Sequence, residues 1–248
     1  KIFYLISCLV IKDNLLLTFI HYKCRKYSYN TRLYKVVTKM KYSHIVFDID
    51  GTLIDSNSVS LRSLQEAIKL YSGQEIPTQE LEFSIGKPAN VVFRKLNISD
   101  ITYADSLWEK CYEKYIPQIL PFSGIENTVK TLHQKGYTLG IITTKTRSEY
   151  KKEFELLDIH KYFQTSVCLN ECNYAKPNPD PIYKYLKLTN ISKKDMLYVG
   201  DSNVDMLCAS NASVDFAHAC WGSPKLNLSA KYSLEHSDDL LKILKEMP

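Results

Sequence analysis

The sequence of 248 residues lacks an apolar run long enough to cross a membrane. A membrane-spanning helix needs about 20 consecutive, mostly apolar residues. Two shorter apolar stretches lie near the start of the chain, at residues 2–11 and 15–20. No small-residue cleavage site follows them, as a secretory signal would require. We therefore expect no membrane partner for this protein.

The sequence also lacks the cysteine spacing of a zinc site or a disulfide framework. Its seven cysteines are an odd number, and no two are spaced as Cys-x-x-Cys. Cys168 and Cys172 are four positions apart, but no cluster of His or Cys completes a zinc site with them. Free or buried thiols are typical of a reducing compartment. The sequence predicts a cytoplasmic protein.

A basic surplus is absent from most of the chain. The formal net charge is +5, but residues 1–39 hold eight of the 32 Lys and Arg residues and one of the 27 acids. The remaining residues therefore carry 24 basic and 26 acidic side chains. A nucleic-acid-binding domain would show a basic surface patch. We expect no nucleic-acid partner.

Residues 1–39 differ from the rest in another respect. The chain begins with Lys, and Met40 lies five residues before the first predicted strand. We interpret residues 1–39 as an N-terminal extension that is either disordered or an artefact of upstream translation, with a membrane anchor as the alternative. The mass of the protein made in its own host would decide between these interpretations.

The first acidic motif follows an apolar run, Ile45 to Phe47, which predicts a buried strand of a parallel sheet. Asp48 and Asp50 come directly after it, followed by Gly51. Open α/β sheets bind ligands at the carboxyl ends of their strands. Side chains two residues apart on an extended chain point the same way, so both carboxylates can face one site. The alternative is a solvated Asp-Gly turn.

Two further elements carry polar groups in well-defined places. Thr143 and Thr144 follow the predicted strand 138–142, where a hydroxyl can donate to a phosphate oxygen. Lys176 precedes three prolines within the next five residues, which stiffen the loop and restrict the ammonium group. A fixed ammonium can neutralise charge that develops on a phosphate. For Thr143, the alternative is an ordinary turn at the end of a strand. For Lys176, it is a stiff surface loop.

The last element resembles the first in its pattern. A predicted strand, 196–199, ends in Gly200, and Asp201 and Asp205 follow at the start of a predicted helix. Carboxylates are the ligands that Mg²⁺ prefers. Alternatively, Asp201 caps the helix and Asp205 lies on its solvated face.

Helical patterns fill the region between the first and second motifs. The spacing of apolar residues predicts a helix over residues 61–71, capped by Ser60 and ended by Gly73. We expect a short helix from about Pro77-Thr78 and two further helices at 89–96 and 101–116.

Strands and helices alternate in the remainder of the chain, which predicts βαβ units and a parallel sheet. The predicted strands are 138–142, 165–169, 196–199 and 214–217. The predicted helices are 124–134, 149–157, 181–188, 204–210 and 240–245.

From Met40 to the C-terminus, the ordered set of four motifs resembles the haloacid dehalogenase-like superfamily, in particular its phosphoglycolate phosphatase-like and β-phosphoglucomutase-like group. The motifs are Asp48-Ile49-Asp50-Gly51-Thr52-Leu53, Thr143, Lys176-Pro177, and Gly200-Asp201 with Asp205. This resemblance implies an α/β protein with a Rossmann-like parallel sheet and helices on both faces. It assigns residues 40–56 and 120–248 to the catalytic core and residues 57–119 to an inserted, all-helical cap domain.

The resemblance also implies roles for individual residues. Asp48 is the nucleophile, Asp50 is the general acid and base, and Thr143 and Lys176 bind the transferring phosphoryl group. The implied cofactor is Mg²⁺, with a set of ligands that comprises Asp48, the backbone carbonyl of Asp50, Asp201, and Asp205 nearby or through water. Candidate substrate-binding residues are Thr143, Thr144 and Lys176 in the core and Lys87 and Arg94 in the cap.

The implied function is that of a Mg²⁺-dependent phosphatase of a small phosphorylated metabolite, phosphoglycolate-like or a sugar phosphate, which acts through an aspartyl-phosphate. The alternative is a β-phosphoglucomutase-like isomerase. Related mutases usually carry a His at the position of Ser60, and the absence of that His from this sequence favours hydrolysis. A non-catalytic binding protein is a third alternative, but all four motifs are intact. We expect a monomer or a homodimer.

Overall fold

The computed structural model describes residues 4–12, 15–23, 35–85, 87, 89–223 and 230–245, with side chains from Met40 onward. Three strands lie in the predicted extension: β1 (Tyr4–Lys12), β2 (Leu15–Lys23) and β3 (Lys35–Lys39). They form an antiparallel sheet in the order β1-β2-β3. The apolar runs that carried no secondary-structure prediction are therefore strands that pair with each other. The rest of the predicted extension lies outside the described residues, and its status as an extension stays a prediction.

Six parallel strands form the main sheet, which confirms the predicted α/β class. They are β4 (His44–Phe47), β5 (Thr138–Ile142), β6 (Phe163–Val167), β7 (Met196–Gly200), β8 (Asp215–Ala219) and β9 (Tyr232–Leu234). Their order is β6-β5-β4-β7-β8-β9. The strand before the first motif, β4, is thus flanked by the strands before the second and fourth motifs.

Helices cover both faces of this sheet. Successive residues of a strand point to opposite faces, and in β4 the side chains of Ile45 and Phe47 lie in one hydrophobic cluster while that of Val46 lies in another. Both faces are therefore buried, as an all-parallel sheet requires. The helices that follow β4 and belong to this layered core are α5 (Ile125–Gln134), α6 (Arg147–Glu153), α7 (Asp180–Thr189), α8 (Asn203–Ala212) and α9 (Asp239–Lys245).

The chain between β4 and α5 is helical, as predicted, and we call residues 56–118 the helical segment. It contains α1 (Ser56–Ser72), α2 (Thr78–Leu81), α3 (Ala89–Lys95) and α4 (Ile101–Tyr115). A hydrophobic cluster of its own, which includes Leu64, Phe93 and Trp108, lies between these helices. The division of the chain into a cap domain and a catalytic core stays a prediction.

Several predicted boundaries are wrong, and local hydrogen bonds explain two of them. Ser60 does not cap α1; Asp55 does, because its Oδ1 accepts a hydrogen bond from the backbone N–H of Ser58 at 3.1 Å. Helix α6 begins two residues before the predicted start because Thr146 and Glu149 form a capping box. Gly73 ends α1 in a left-handed conformation, as predicted.

The short strand β9 was not predicted, since three residues are too few for a recognisable alternation of apolar and polar side chains. Strand β6 begins and ends two residues before its predicted bounds. Among the helices in the described part of the chain, none is both long and apolar enough to cross a membrane.

Candidate active site

Three of the four motifs meet at the carboxyl edge of the sheet. Asp48 follows β4, Thr143 follows β5 and Asp201 follows β7, and these three strands are neighbours. The site therefore lies where parallel sheets bind their ligands. Lys176, from the loop before α7, completes the set by direct contact with Asp48.

Lys176 is the centre of the buried polar contacts in this site. Its Nζ lies 2.7 Å from Oδ1 of Asp48 and 2.6 Å from Oδ1 of Asp205. The hydroxyl of Tyr198, on β7, lies 3.1 Å from the same ammonium. Burial alone would lower the pKa of Lys176, but the two carboxylates outweigh this effect and raise it. The two carboxylates therefore favour the cationic form of Lys176 beside the predicted nucleophile.

Asp205 is buried, so the alternative that placed it on a solvated helix face is wrong. The residue that caps α8 is Ser202, whose Oγ accepts a hydrogen bond from the N–H of Asp205. In return, Oδ2 of Asp205 accepts from the N–H and hydroxyl of Ser202. Its Oδ1 accepts from Lys176 and, at 2.9 Å, from the Tyr198 hydroxyl. Asp205 thus fixes the ammonium of Lys176.

A divalent cation fits the acidic cluster. One carboxylate oxygen from each of Asp48, Asp201 and Asp205 lies within 4.8 Å of the others. Burial raises the pKa of Asp48 well above its usual value; Lys176 opposes this shift, and the neighbouring carboxylates add to it. Burial and then Asp205 raise the pKa of Asp201 to about 7. Buried carboxylates that repel each other in this way are stabilised as anions by a shared metal ion.

Two glycines allow the backbone to approach Asp201 closely. Gly51 has a φ of 76°, and a Cβ built on it would lie 2.3 Å from Oδ2 of Asp201. A Cβ on Gly222, which follows β8, would lie 1.7 Å from the backbone oxygen of Gly51. Any side chain at either position would therefore displace the turn that carries the first motif.

Asp50 faces a different set of partners from Asp48. Its Oδ1 accepts a hydrogen bond from the hydroxyl of Ser56, the first residue of α1, and lies 2.9 Å from Nζ of Lys145. The side chain of Asp50 is 29% exposed, whereas that of Asp48 is 8% exposed. The two carboxylates therefore differ in environment, with Asp50 on the more accessible side.

The remaining predicted substrate-binding residues fall into two groups. Thr143 is buried, and its Oγ1 accepts a hydrogen bond from the backbone N–H of Lys145 at 3.1 Å. Thr144 is exposed. Lys87 and Arg94 are exposed in the helical segment, and Nζ of Lys87 lies 5.7 Å from the centroid of the Phe83 ring. Gly86 and Pro88, which flank Lys87, lie outside the described residues. A substrate-binding role for these residues stays a prediction.

Several residues at the site carried no predicted role. Lys145 directly follows the Thr143-Thr144 pair, and this adjacency to a strand end was the only signal for it. Glu153, the last residue of α6, accepts a hydrogen bond from Lys145. Tyr112, on α4, donates a hydrogen bond to Glu153. Their distances along the chain give no signal that they meet.

The contacts of Lys176 predict a large loss of stability on substitution. Lys176→Met leaves the carboxylates of Asp48 and Asp205 buried without a cation, so the free energy of unfolding should fall by about 3–5 kcal/mol. Denaturant unfolding of the metal-free protein at neutral pH measures this change. The matched control is Lys152→Met, which removes an exposed ion pair with Glu113 and should alter stability little. Equal, small effects in the two variants would contradict a charge-bridging role for Lys176.

Comparison with known proteins finds a match to one protein family. Residues 45–219 match the family model of the haloacid dehalogenase-like hydrolases. Pyrophosphatase PpaX of Halalkalibacterium halodurans is 29% identical over 210 residues, which cover 83% of this chain and 98% of that protein. The pyrophosphatase PpaX of Anoxybacillus flavithermus is 28% identical with the same coverage.

Solved structures share the fold. One from Lactobacillus plantarum, assigned as a phosphoglycolate phosphatase, aligns with a TM-score of 0.70 and 24% identity, over 82% of this chain and 100% of that one. Another from Thermotoga maritima, assigned as a β-phosphoglucomutase, aligns with a TM-score of 0.71 and 18% identity, over 83% and 100% of the two chains. At these identities the likeness shows the fold alone.

Proposed function

The chain belongs to the haloacid dehalogenase-like hydrolase family, and on that premise we propose that it is a Mg²⁺-dependent phosphatase of a small phosphorylated metabolite. The observation that carries this proposal is the buried Lys176 ammonium between Asp48 and Asp205, with Asp201 close enough to share a cation with both. A nucleophile, a cation-binding cluster and a fixed positive charge are the groups that phosphoryl transfer requires.

In the proposed first step, an oxygen of Asp48 attacks phosphorus and the bond to the leaving oxygen breaks. The product is an aspartyl-phosphate, a covalent intermediate. Lys176 donates to the phosphoryl oxygens and Thr143 adds a hydroxyl, so that charge on the transferring group is stabilised. When bound, Mg²⁺ neutralises phosphate charge that would otherwise repel an anionic nucleophile.

Asp48, Asp201 and the backbone carbonyl of Asp50 would bind the metal ion directly. Both oxygens of Asp205 already accept hydrogen bonds from protein donors, so we assign it to contact through water. The donor set is made of oxygen atoms only, which suits a hard cation such as Mg²⁺.

In both steps Asp50 is the proposed proton carrier. It gives a proton to the leaving oxygen as the ester bond breaks, and then takes one from the water that attacks the aspartyl-phosphate. Its greater exposure, compared with Asp48, suits a group that meets both a leaving alcohol and a water molecule. We propose that the helical segment is a cap that covers this side of the site and contacts the substrate.

Phosphoglycolate-like esters and sugar phosphates are the proposed substrates, and pyrophosphate is a second candidate because of the PpaX relatives. Phosphate release with Mg²⁺ from phosphoglycolate, a sugar phosphate and pyrophosphate tests the proposal directly. Turnover of at least one ester is expected. If none of these compounds releases phosphate in the presence of Mg²⁺, the phosphatase proposal is overturned.

An isomerase is the alternative function, and the same assay separates it from a phosphatase. A phosphomutase would convert a sugar 1-phosphate to the 6-phosphate without net release of phosphate. Ser60, within α1, lacks the imidazole that such mutases carry at this position. We therefore expect phosphate release and no 6-phosphate.

We propose a cytoplasmic location. Cys111, Cys168, Cys172, Cys208 and Cys220 are free thiols in the described part of the chain. Free cysteines are typical of a reducing compartment.

Replacing Asp50 by Ala should affect esters according to their leaving group. An alkoxide needs a proton in order to leave, whereas 4-nitrophenolate does not. For an alkyl phosphate ester, we expect formation of the aspartyl-phosphate to slow by about 10²–10⁴-fold. With 4-nitrophenyl phosphate, the variant should give a burst of nitrophenol followed by slow turnover, because hydrolysis of the intermediate also needs Asp50. Rapid-quench kinetics and mass spectrometry of the trapped phosphoprotein measure both effects.

Equal losses for the two ester classes, without a burst and without a phosphoprotein, would mean that Asp50 has only a structural role. Asp158→Asn, at an exposed carboxylate in the turn before β6, is the control and should behave as the wild type.

A further inference from the structure

A chain of polar contacts connects the helical segment to Asp50. The hydroxyl of Tyr112, on α4, donates a hydrogen bond to Oε2 of Glu153 at 2.9 Å. Nζ of Lys145 donates to the same oxygen at 2.6 Å and lies 2.9 Å from Oδ1 of Asp50. Three contacts, through two intervening side chains, thus connect a tyrosine of the helical segment to the proposed proton carrier.

The middle of this chain is shielded from water. The side chain of Lys145 is 10% exposed and that of Glu153 is 4% exposed. Burial of an ion pair is costly unless each partner has further hydrogen bonds. Tyr112 supplies such a bond to Glu153, and Asp50 is a second carboxylate for Lys145. The side chains therefore constrain one another's positions.

Charge balance indicates what Lys145 does. The ammonium lies between two carboxylates, Asp50 and Glu153, so the trio carries a net charge of −1 when all three are ionised. Lys145 is therefore not a spare cation for an anionic substrate. By contrast, its contact with Oδ1 of Asp50 restricts the orientation of that carboxylate, and the hydroxyl of Ser56 contacts the same oxygen.

Both contacts of Asp50 depend on where the helical segment lies. Ser56 is the first residue of α1, and Tyr112 reaches Glu153 from α4. The ring of Tyr112 also packs against the hydrophobic cluster of the core. Displacement of α4 would remove the Tyr112 hydroxyl from Glu153 and leave this buried carboxylate with one donor fewer.

We propose that Lys145 is a positioning residue for Asp50, and that Tyr112 and Glu153 hold Lys145 in place when the helical segment contacts the core. This proposal rests on the proposed function, since it assigns Asp50 to proton transfer. A carboxylate displaced by about 1 Å from its productive geometry can cost about 10²-fold in rate. The network thus links the position of the helical segment to the rate of proton transfer.

The test compares Lys145→Met and Tyr112→Phe with the wild type on two substrates. The substrates are 4-nitrophenyl phosphate and the alkyl phosphate that the wild type hydrolyses fastest. For Lys145→Met, kcat on the alkyl ester should fall by about 10²-fold while KM changes little. With 4-nitrophenyl phosphate, this variant should give a burst of nitrophenol, as expected for Asp50→Ala, because hydrolysis of the intermediate needs the same carboxylate. Tyr112→Phe removes one hydroxyl and should lower kcat on the alkyl ester by about tenfold.

The matched control is Tyr115→Phe on the same helix, where the ring lies near Arg62 and Lys114 instead of the network. This variant should leave both activities unchanged. Because Lys145→Met removes a buried cation, it can fail to fold; Tyr112→Phe then carries the test, since it creates no unpaired buried charge.

A double-mutant cycle separates positioning from a general structural effect. If Lys145 and Tyr112 act through Asp50, then neither substitution should lower kcat further in an Asp50→Ala background. Additive losses in that background would overturn the proposal. A rise in KM for anionic substrates at constant kcat would overturn it too, since Lys145 would then be a substrate-binding cation. Phosphate release by the wild type is measured alongside, so failure of the phosphatase proposal is seen separately.

Discussion

Asp48→Asn should abolish phosphate release and leave the fold intact. The amide has nearly the shape of the carboxylate, but it cannot attack phosphorus. Loss of a covalent nucleophile typically costs several orders of magnitude in kcat, and we expect a fall of at least about 10⁴-fold. Burial and neighbouring carboxylates already disfavour the charge of Asp48, so a neutral amide should be tolerated in its place. Steady-state phosphate release and the thermal midpoint measure the two effects.

A second measurement identifies the intermediate directly. Rapid acid quench of the wild type during turnover should yield a protein heavier by one phosphoryl group, located by peptide mass spectrometry at Asp48. The Asp48→Asn protein should carry no such group. Phosphate release by this variant within tenfold of the wild type would contradict the covalent mechanism, whatever the stability data show.

Removal of the metal ion should silence the enzyme reversibly. With EDTA in excess we expect phosphate release to fall to background, because the single ammonium of Lys176 then has to balance the three carboxylates of Asp48, Asp201 and Asp205 beside an anionic substrate. Mg²⁺ should restore activity. Ca²⁺ should restore it poorly, since its larger and more variable coordination does not fix the reacting groups in line. Full activity in the chelator would show that the acidic cluster has no catalytic cation.

Metal binding can also be measured without turnover. A ligand that binds the folded state alone raises stability by about 2.7 kcal/mol when its concentration is 100 times its Kd. Mg²⁺ should therefore raise the thermal midpoint of the wild type. This increase in the thermal midpoint should be much smaller for Asp201→Asn, which loses a charged ligand. For the exposed control Asp158→Asn, it should be the same as for the wild type. Equal increases in all three proteins would place the cation elsewhere.

The fold was largely predictable because each signal for it is local. A short apolar run bounded by turn residues, such as Ile45 to Phe47, predicts a strand when such runs alternate with helices along the chain. A strand of this composition is buried on both faces of a parallel sheet. The position of Asp48 at the end of that strand follows from the same run. Boundaries were less predictable, because an N-cap depends on one hydrogen bond. Asp55 caps α1 by such a bond, and the sequence offered Ser60 as an equally good candidate.

The sequence by itself determined the four motifs, their order and their placement after predicted strands, and their resemblance to the haloacid dehalogenase-like superfamily implied phosphoryl-transfer chemistry. Only the tertiary structure decided which carboxylates pair with which ammonium group. The Lys176 ammonium lies between Asp48 and Asp205, and that of Lys145 lies between Asp50 and Glu153. The physical reason is that burial and pairing depend on distances between residues far apart in the chain. Tyr112 and Glu153 are 41 positions apart, and no local pattern encodes their contact.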